Sequence, residues 1–305
     1  MKAFTATGRT DRPVELEEVP QPELRADEAL VKVDAYSVNR GETFLLESPP
    51  AGWRPGKDVA GLVVQPAADG SGPGIGRRVV AHPPAAGWAE YVAVPTSSLA
   101  ELPDEVATVQ AAALPLAGLT ALRLLRAAGP VAGRRVLLTG ASGGVGHYFT
   151  ELAVAAGAEL TVVSRSAERG ARLAEFGATV VGRVEDAAGP FDVVLESTGG
   201  PNLAAALARL APQGQLVWFG QASREPATVS FFDLLYGPVG ATIRHFSYAE
   251  DATSYGTDLA TLVRLVAQDR LHPELGLVRD WTETAEALTA LRERRVRGNA
   301  VLTLS

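Results

Sequence analysis

The chain contains no cysteine, and this absence removes more chemistry than any other feature of its composition. No disulfide framework can hold it, no thiolate can act as nucleophile, and a zinc site would have to rest on four scattered histidines and on carboxylates. Long apolar runs are missing too. Nothing approaches the roughly 20 apolar residues that cross a bilayer, and MKAFTATGRTDRP lacks the apolar centre of a secretion signal. Both absences point to the cytoplasm. Basic blocks are scarce: the formal net charge is -7, and the only dense basic run, RERRVRG at 292–298, suits solvated helix-end arginines that complement a macrodipole. A field of that sign repels nucleic acid and anionic membrane, so neither is an expected partner. What remains is an ordinary globular composition, 47% hydrophobic and 21% charged, in 305 residues that suit two domains with ample core.

Residues 1 to about 110 read as short strands separated by Pro and Gly clusters: KAFTAT, ALVKVDAYSV, DVAGLVVQP, RRVVAHP and AEYVAVP. The segment ATVQAAALPLAGLTALRLLRAAG is helical, divided by Pro115 and ended by Gly129-Pro130. From Arg134 strands alternate with short helices, the pattern of a parallel sheet covered on both faces. Two amphipathic helices, TDLATLVRLVAQDR and TAEALTALRERR, then precede a last strand, NAVLTLS. That tail is too long for one more sheet edge and is expected to return to the first domain. The expected division is therefore 1–112, 113–250 and 251–305, the first and last segments forming one β-rich domain.

Gly140, Gly143 and Gly146 stand three apart between an apolar strand, RRVLLTG, and a helix. A pyrophosphate needs that arrangement: backbone N–H groups and the helix N-terminus supply positive potential, and missing side chains allow close approach. The next strand, ELTVVS, ends in Ser164-Arg165 where a carboxylate would bind the two ribose hydroxyls of NAD. A hydroxyl donor and a guanidinium fork favour a 2′-phosphate instead, hence NADPH over NADH, with Arg169 one helical turn further on.

The stretches AYSVNRGE (35–42), PGKDVAG (55–61), WAEYVAVP (88–95), LPLAGLTA (114–121), TGASGGVG (139–146), DVVLESTGG (192–200), LAPQGQLVWFG (210–220) and RRVRGNAVLTL (294–304) lie in register with one family. Taken together, they resemble the medium-chain dehydrogenase/reductase superfamily, most closely its zinc-independent quinone oxidoreductase and enoyl reductase branch. The resemblance implies an α/β chain with a GroES-like catalytic domain interrupted by a Rossmann domain, an active site in the cleft between them, and a homodimer joined through the strand around GATIRHF. It places Asn39 and Thr120 at the nicotinamide ribose, Ser142, Gly143, Gly144 and Val145 at the pyrophosphate, and Ser164, Arg165 and Arg169 at the 2′-phosphate. Thr198, Phe219 and Gly220 fall at the nicotinamide end. Asn299 stands where this branch often carries a lysine, and Asn39 and Lys57 stand where zinc-dependent relatives have a cysteine and a histidine. An ammonium does not ligate zinc, so alcohol oxidation assisted by a metal is disfavoured.

Without thiol, metal or a Ser/His/Asp pattern, the cofactor carries the reaction and the protein orients it. Hydride addition to a carbon conjugated with a carbonyl gives an enolate, which needs hydrogen-bond donors and a proton. A quinone or an α,β-unsaturated carbonyl is the expected small-molecule substrate. Tyr36 and Lys57 are the candidate proton donor and carbonyl-polarising group, and Phe44, Trp53 and Trp88 are candidate pocket walls. His82 and His147 read as ordinary surface or cleft residues. Two rival readings stay open: an enoyl reductase dedicated to one polyketide or lipid intermediate, and a protein that binds NADPH without turnover.

Overall fold

A computed structural model describes residues 1–304. The chain begins with strands β1 (Lys2–Ala6), β2 (Val14–Glu18) and β3 (Glu28–Val38), helix α1 (Arg40–Leu45), then β4 (Val59–Gln65), β5 (Arg78–Ala81), β6 (Tyr91–Pro95) and β7 (Leu99–Glu101). Helices α2 (Thr108–Ala112) and α3 (Pro115–Ala128) follow, broken at Pro115 and stopped at Gly129 as the sequence implies. Next come β8 (Arg135–Leu138), α4 (Gly144–Ala155), β9 (Glu159–Val163), α5 (Ala167–Glu175), β10 (Thr179–Val181), β11 (Phe191–Glu196), α6 (Pro201–Leu207), β12 (Leu210–Trp218), α7 (Phe231–Tyr236) and β13 (Thr242–His245). The chain closes with α8 (Tyr255–Ala267), β14 (Leu275–Asp280), α9 (Thr284–Arg292) and β15 (Asn299–Thr303).

Two compact units result among the described residues: 1–119 with 252–304, and 120–251. In the first, β3 is central because EALVKVDAYSV is apolar on both faces and buried along nearly its whole length. It pairs antiparallel with β4, β6 and β15 in a sheet ordered β14-β15-β3-β4-β5-β7. Phe4, Tyr36, Leu46, Trp88, Trp281 and Leu288 fill its core. The C-terminal strand β15 thus completes the sheet begun by the N-terminal segment. Strands β2, β7 and β14 escape a sequence reading: β2 (VELEE) is largely exposed on a two-stranded ribbon, β7 has three residues, and β14 alternates around a glycine.

The second unit is a parallel sheet ordered β10-β9-β8-β11-β12-β13. Its inner strands RVLL and FDVVLE are near-continuous apolar runs, the composition of strands buried on both faces. Strand order reverses direction between β8 and β11. Loops leaving the carboxyl ends of those two strands flank the topological switch point, where ligands of such sheets bind. A β-rich unit that takes in both ends of the chain and a doubly wound parallel sheet are the two architectures of the α/β chain that the sequence implies.

Candidate functional site

Every residue that the sequence reading assigned to the second unit, Thr120 apart, lies just beyond a carboxyl end of the parallel sheet. Ser142, Gly143, Gly144 and Val145 follow β8, Ser164 and Arg165 follow β9, Thr198 follows β11, and Phe219 and Gly220 follow β12. Helix α4 begins at Gly144, with Gly143 as an N-cap that supplies no side-chain hydrogen bond. By contrast α5 and α8 are capped by Ser166 and Ser254, each accepting an N–H of the first turn. The start of α4 is thus left without a side-chain cap, which is the condition for an anion to take that place. Gly146 has another duty: a Cβ there would lie 2.1 Å from the Ala141 carbonyl, so only glycine lets the helix press against the loop.

At the end of β9, Ser164 is buried and its hydroxyl donates to the Ser166 carbonyl at 3.0 Å. Arg165 is exposed and Arg169 half-buried, its N–H directed to Ser166 Oγ at 3.4 Å. Thr120 is buried on α3.

Sequence reasoning missed two organisers of these loops. Glu196, fully buried at the end of β11, accepts from Thr139 Oγ1 (3.0 Å), the Thr198 N–H (2.8 Å), the Thr198 hydroxyl and the Gly199 N–H (3.0 Å). One carboxylate therefore ties the loop after β8 to the loop after β11. His147 is 1% exposed, contrary to its reading as a surface or cleft residue, and its Nδ1 lies 3.0 Å from the Gly143 carbonyl, steadying the glycine loop. A glutamate closing the apolar run VVLE was the available signal for the first; the second had none.

In the first unit the ends of β3 and β4 gather Asn39, Lys57 and, through the register Ala300↔Val38, the neighbouring Asn299. Asp58 joins them and is wholly buried. Its Oδ2 accepts from Ser37 Oγ (2.6 Å) and Asn39 Nδ2 (2.7 Å), and its Oδ1 from the Leu116 N–H (3.0 Å), with His82 Nδ1 at 3.2 Å. His82 is 3% exposed, so it too is no surface residue; its ring stands edge-on to Tyr255, 4.9 Å between centroids.

Lys57 sits half-buried on a loop fixed from two sides. Ala86, Gly87 and Trp88 donate N–H groups to the carbonyls of Arg54, Gly56 and Pro55, while Gly56 donates to Glu42 Oε1 at 3.1 Å. Gly56 has φ +107°, and a Cβ would lie 2.3 Å from the Trp88 nitrogen, so glycine is obligatory there. Glu42 also accepts the Asn39 N–H at 2.9 Å. Burial, reinforced by the nearby Asp58 charge, pushes the Glu42 carboxyl up to about 8. It keeps its proton at neutral pH, which spares this enclosed corner a second negative charge.

Tyr36 requires a correction. It is fully buried, stacked on Trp88 with centroids 5.8 Å apart, and its hydroxyl meets Thr284 Oγ1 at 2.6 Å. Thr284 donates its own hydrogen to the Trp281 carbonyl, so the Tyr36 proton is committed to Thr284. Burial also raises the phenol far above its ordinary value. A proton donor needs access and a transferable proton, and Tyr36 has neither. Trp88 likewise belongs to the core, where its ring N–H donates to the Ser37 carbonyl at 3.0 Å; Trp53 packs against that core and Phe44 is half-buried. Asn299 is engaged with the Glu274 carbonyl through its backbone N–H (2.8 Å) and Nδ2 (3.2 Å), which ties down the start of β15.

Among the described residues no group of three or more His, Cys, Asp or Glu side chains is placed to hold a metal. Asn39 turns its amide nitrogen toward Asp58, and Lys57 offers an ammonium, so this corner does not present a zinc donor set.

Family comparison matches residues 25–104 to a model described as "Alcohol dehydrogenase GroES-like domain" and residues 144–267 to one described as "Zinc-binding dehydrogenase". A chloroplast envelope quinone oxidoreductase homolog of Arabidopsis thaliana is 35% identical over 52% of this chain and 52% of its own length, so that alignment spans about half of the relative. Among solved structures, the quinone oxidoreductase of Coxiella burnetii is 25% identical, covering 100% of this chain and 99% of that one with TM-score 0.84. A mycobacterial protein solved with NADPH is 26% identical, covering 99% and 100% with TM-score 0.90.

Proposed function

Because the chain belongs to the medium-chain dehydrogenase/reductase superfamily, in its quinone oxidoreductase branch, we propose that it is an NADPH-dependent oxidoreductase that reduces a quinone or the activated C=C bond of an α,β-unsaturated carbonyl. The observation that carries this reading is the carboxyl edge of the parallel sheet. There an α4 N-terminus without a side-chain cap and the Ser164-Arg165 pair stand at the ends of adjacent strands. This spacing suits a pyrophosphate at the first and a 2′-phosphate at the second.

When bound, the nicotinamide supplies the hydride. The chain's own residues do the remaining work. Backbone N–H groups of Gly144 and Val145 hold the pyrophosphate, Arg165 and Arg169 bind the 2′-phosphate, and Thr198, Phe219 and Gly220 border the nicotinamide end. Asn39 contacts the nicotinamide ribose, and Lys57, fixed by its anchored loop, polarises the acceptor carbonyl. With Tyr36 committed to the core and no zinc donor set at Asn39 and Lys57, the acceptor must already be electrophilic. That requirement selects conjugated carbonyls over simple ketones, with solvent water as the acid. The working unit is a homodimer joined through the β13 edge.

The test is NADPH oxidation followed by absorbance with a 1,4-quinone and a linear enone in parallel, and NADH as control. Turnover of either acceptor, faster with NADPH, is the expected result. Binding of NADPH with neither acceptor reduced would overturn the substrate assignment, leaving a dedicated polyketide or lipid substrate or a non-catalytic binder.

A further inference from the structure

Two glycine-bearing turns flank the topological switch point of the parallel sheet, TGASGGVG after β8 and STGG after β11. Backbone N–H groups of such turns bind anions, so either could seat a phosphate. Those of the second are already engaged. Ser197 N–H donates to Thr139 Oγ1 at 2.9 Å, Thr198 N–H to Glu196 Oε1 at 2.8 Å, and Gly199 N–H to Glu196 Oε2 at 3.0 Å. Its carbonyls are taken as well: those of Glu196, Ser197 and Thr198 accept the N–H groups of Phe219, Ala222 and Ser223, which follow β12. The fully buried Glu196 carboxylate is thus an anion supplied by the chain, lodged where an external one would otherwise sit. The start of α4, which has no side-chain cap, is left as the phosphate seat at this switch point.

Strand order then determines what lies over the second turn. With the 2′-phosphate at the end of β9 and the pyrophosphate at the end of β8, as proposed above, the dinucleotide runs along the carboxyl edge, and the next strand in the sheet is β11. We propose that Glu196 is a positioning residue that acts as an internal anion: it holds the turn after β11 for the nicotinamide half of NADPH, and its charge favours the oxidised, cationic nicotinamide. The proposal rests on the preceding reading that NADPH lies across this edge. Glu196 acts through Thr198 and Gly199 in the turn, and through Thr139, which links it to the glycine loop.

Glu196→Gln keeps the shape of the side chain and removes its charge. Oε1 collects three donors, the Thr139 hydroxyl at 3.0 Å, the Thr198 N–H at 2.8 Å and the Thr198 hydroxyl, so the amide oxygen must take that place. The new NH2 then stands in the Oε2 position, where it meets the Gly199 N–H donor to donor. Gly199 N–H is also 3.2 Å from Oε1, so the turn shifts rather than unravels. Thr139→Val separates position from charge. It removes the hydroxyl that receives the Ser197 N–H and donates to Glu196, and so loosens the turn while the carboxylate stays.

Calorimetric titration with NADPH, with NADP+ and with 2′,5′-ADP, which has the adenosine and its phosphates but no nicotinamide, tests this. For Glu196→Gln the expected result is an NADPH Kd raised about fivefold, the scale of one hydrogen bond replaced by a facing donor. The NADP+ Kd should rise about threefold more than that, because only the oxidised ring carries a charge that the carboxylate attracts. Binding of 2′,5′-ADP should stay within about twofold of wild type, a result that general loss of structure would not give. Thr139→Val should weaken NADPH and NADP+ by the same factor, about fivefold, and again spare 2′,5′-ADP. Unchanged NADPH affinity in both variants, a parallel loss of 2′,5′-ADP, or a wild-type ratio of NADP+ to NADPH affinity in Glu196→Gln would overturn the proposal alone. Wild-type protein that binds neither NADPH nor 2′,5′-ADP would overturn it together with the reading it rests on.

Discussion

Asp58 and Glu196 do comparable work in the two units, each an enclosed carboxylate that collects donors from segments ending neighbouring strands. A buried carboxylate with every acceptor position engaged is tolerated where an unpaired one is not, and it fixes the loops that reach it. Arg165 has the opposite character, exposed and free to choose its partner by charge. Reversing that charge in Arg165→Asp should repel a 2′-phosphate and accept ribose hydroxyls. The expected outcome is a fall of about 100-fold in the NADPH over NADH ratio of kcat/KM, the scale of one or two charge-assisted hydrogen bonds. Steady-state kinetics with both cofactors checks it, and an unchanged ratio would refute the assignment of the 2′-phosphate site.

Among the elements, β13 and α7 stand apart. Strand β13 is the edge of the parallel sheet and all four of its residues are exposed. Beside it in sequence, α7 exposes Phe231 (70%), Phe232 (61%) and Tyr236 (81%). An edge strand with unpaired backbone groups and an adjacent apolar patch invites pairing with another chain. Sedimentation should therefore report the mass of two chains for the wild type and of one for Phe232→Asp combined with Tyr236→Asp. A wild-type monomer would remove the dimer from the proposed function.

At the scale of the whole molecule, Glu42 makes stability depend on pH. Its folded value of about 8 exceeds the ordinary 4.5, so the folded chain holds a proton that the unfolded chain releases. The stabilisation is complete below about pH 4.5 and is lost as pH rises through 8. Across that window this residue should contribute a decline of up to about 1.4 kcal/mol per pH unit. Urea unfolding at intervals from pH 5 to 8.5 should show the decline in wild type and a flatter profile in Glu42→Gln. Parallel profiles would mean that Glu42 ionises normally.

The amino-acid sequence by itself determined whatever depends on neighbours along the chain. The alternation of apolar runs and short helices specified the parallel sheet, three spaced glycines specified the loop before α4, Pro115 and Gly129 bounded α3, and Ser164-Arg165 indicated the choice of cofactor. Only the tertiary structure decided the role of each titratable side chain. Tyr36 reads as a plausible acid until Thr284, 248 positions away, takes its proton. Asp58 is one letter in PGKD until Ser37, Asn39, His82 and Leu116 converge on it from 19 to 58 positions away. The reason is physical: backbone conformation responds to nearest neighbours, whereas burial and hydrogen-bond partnership, which set whether a group is charged and which way it points, exist only after distant strands have packed.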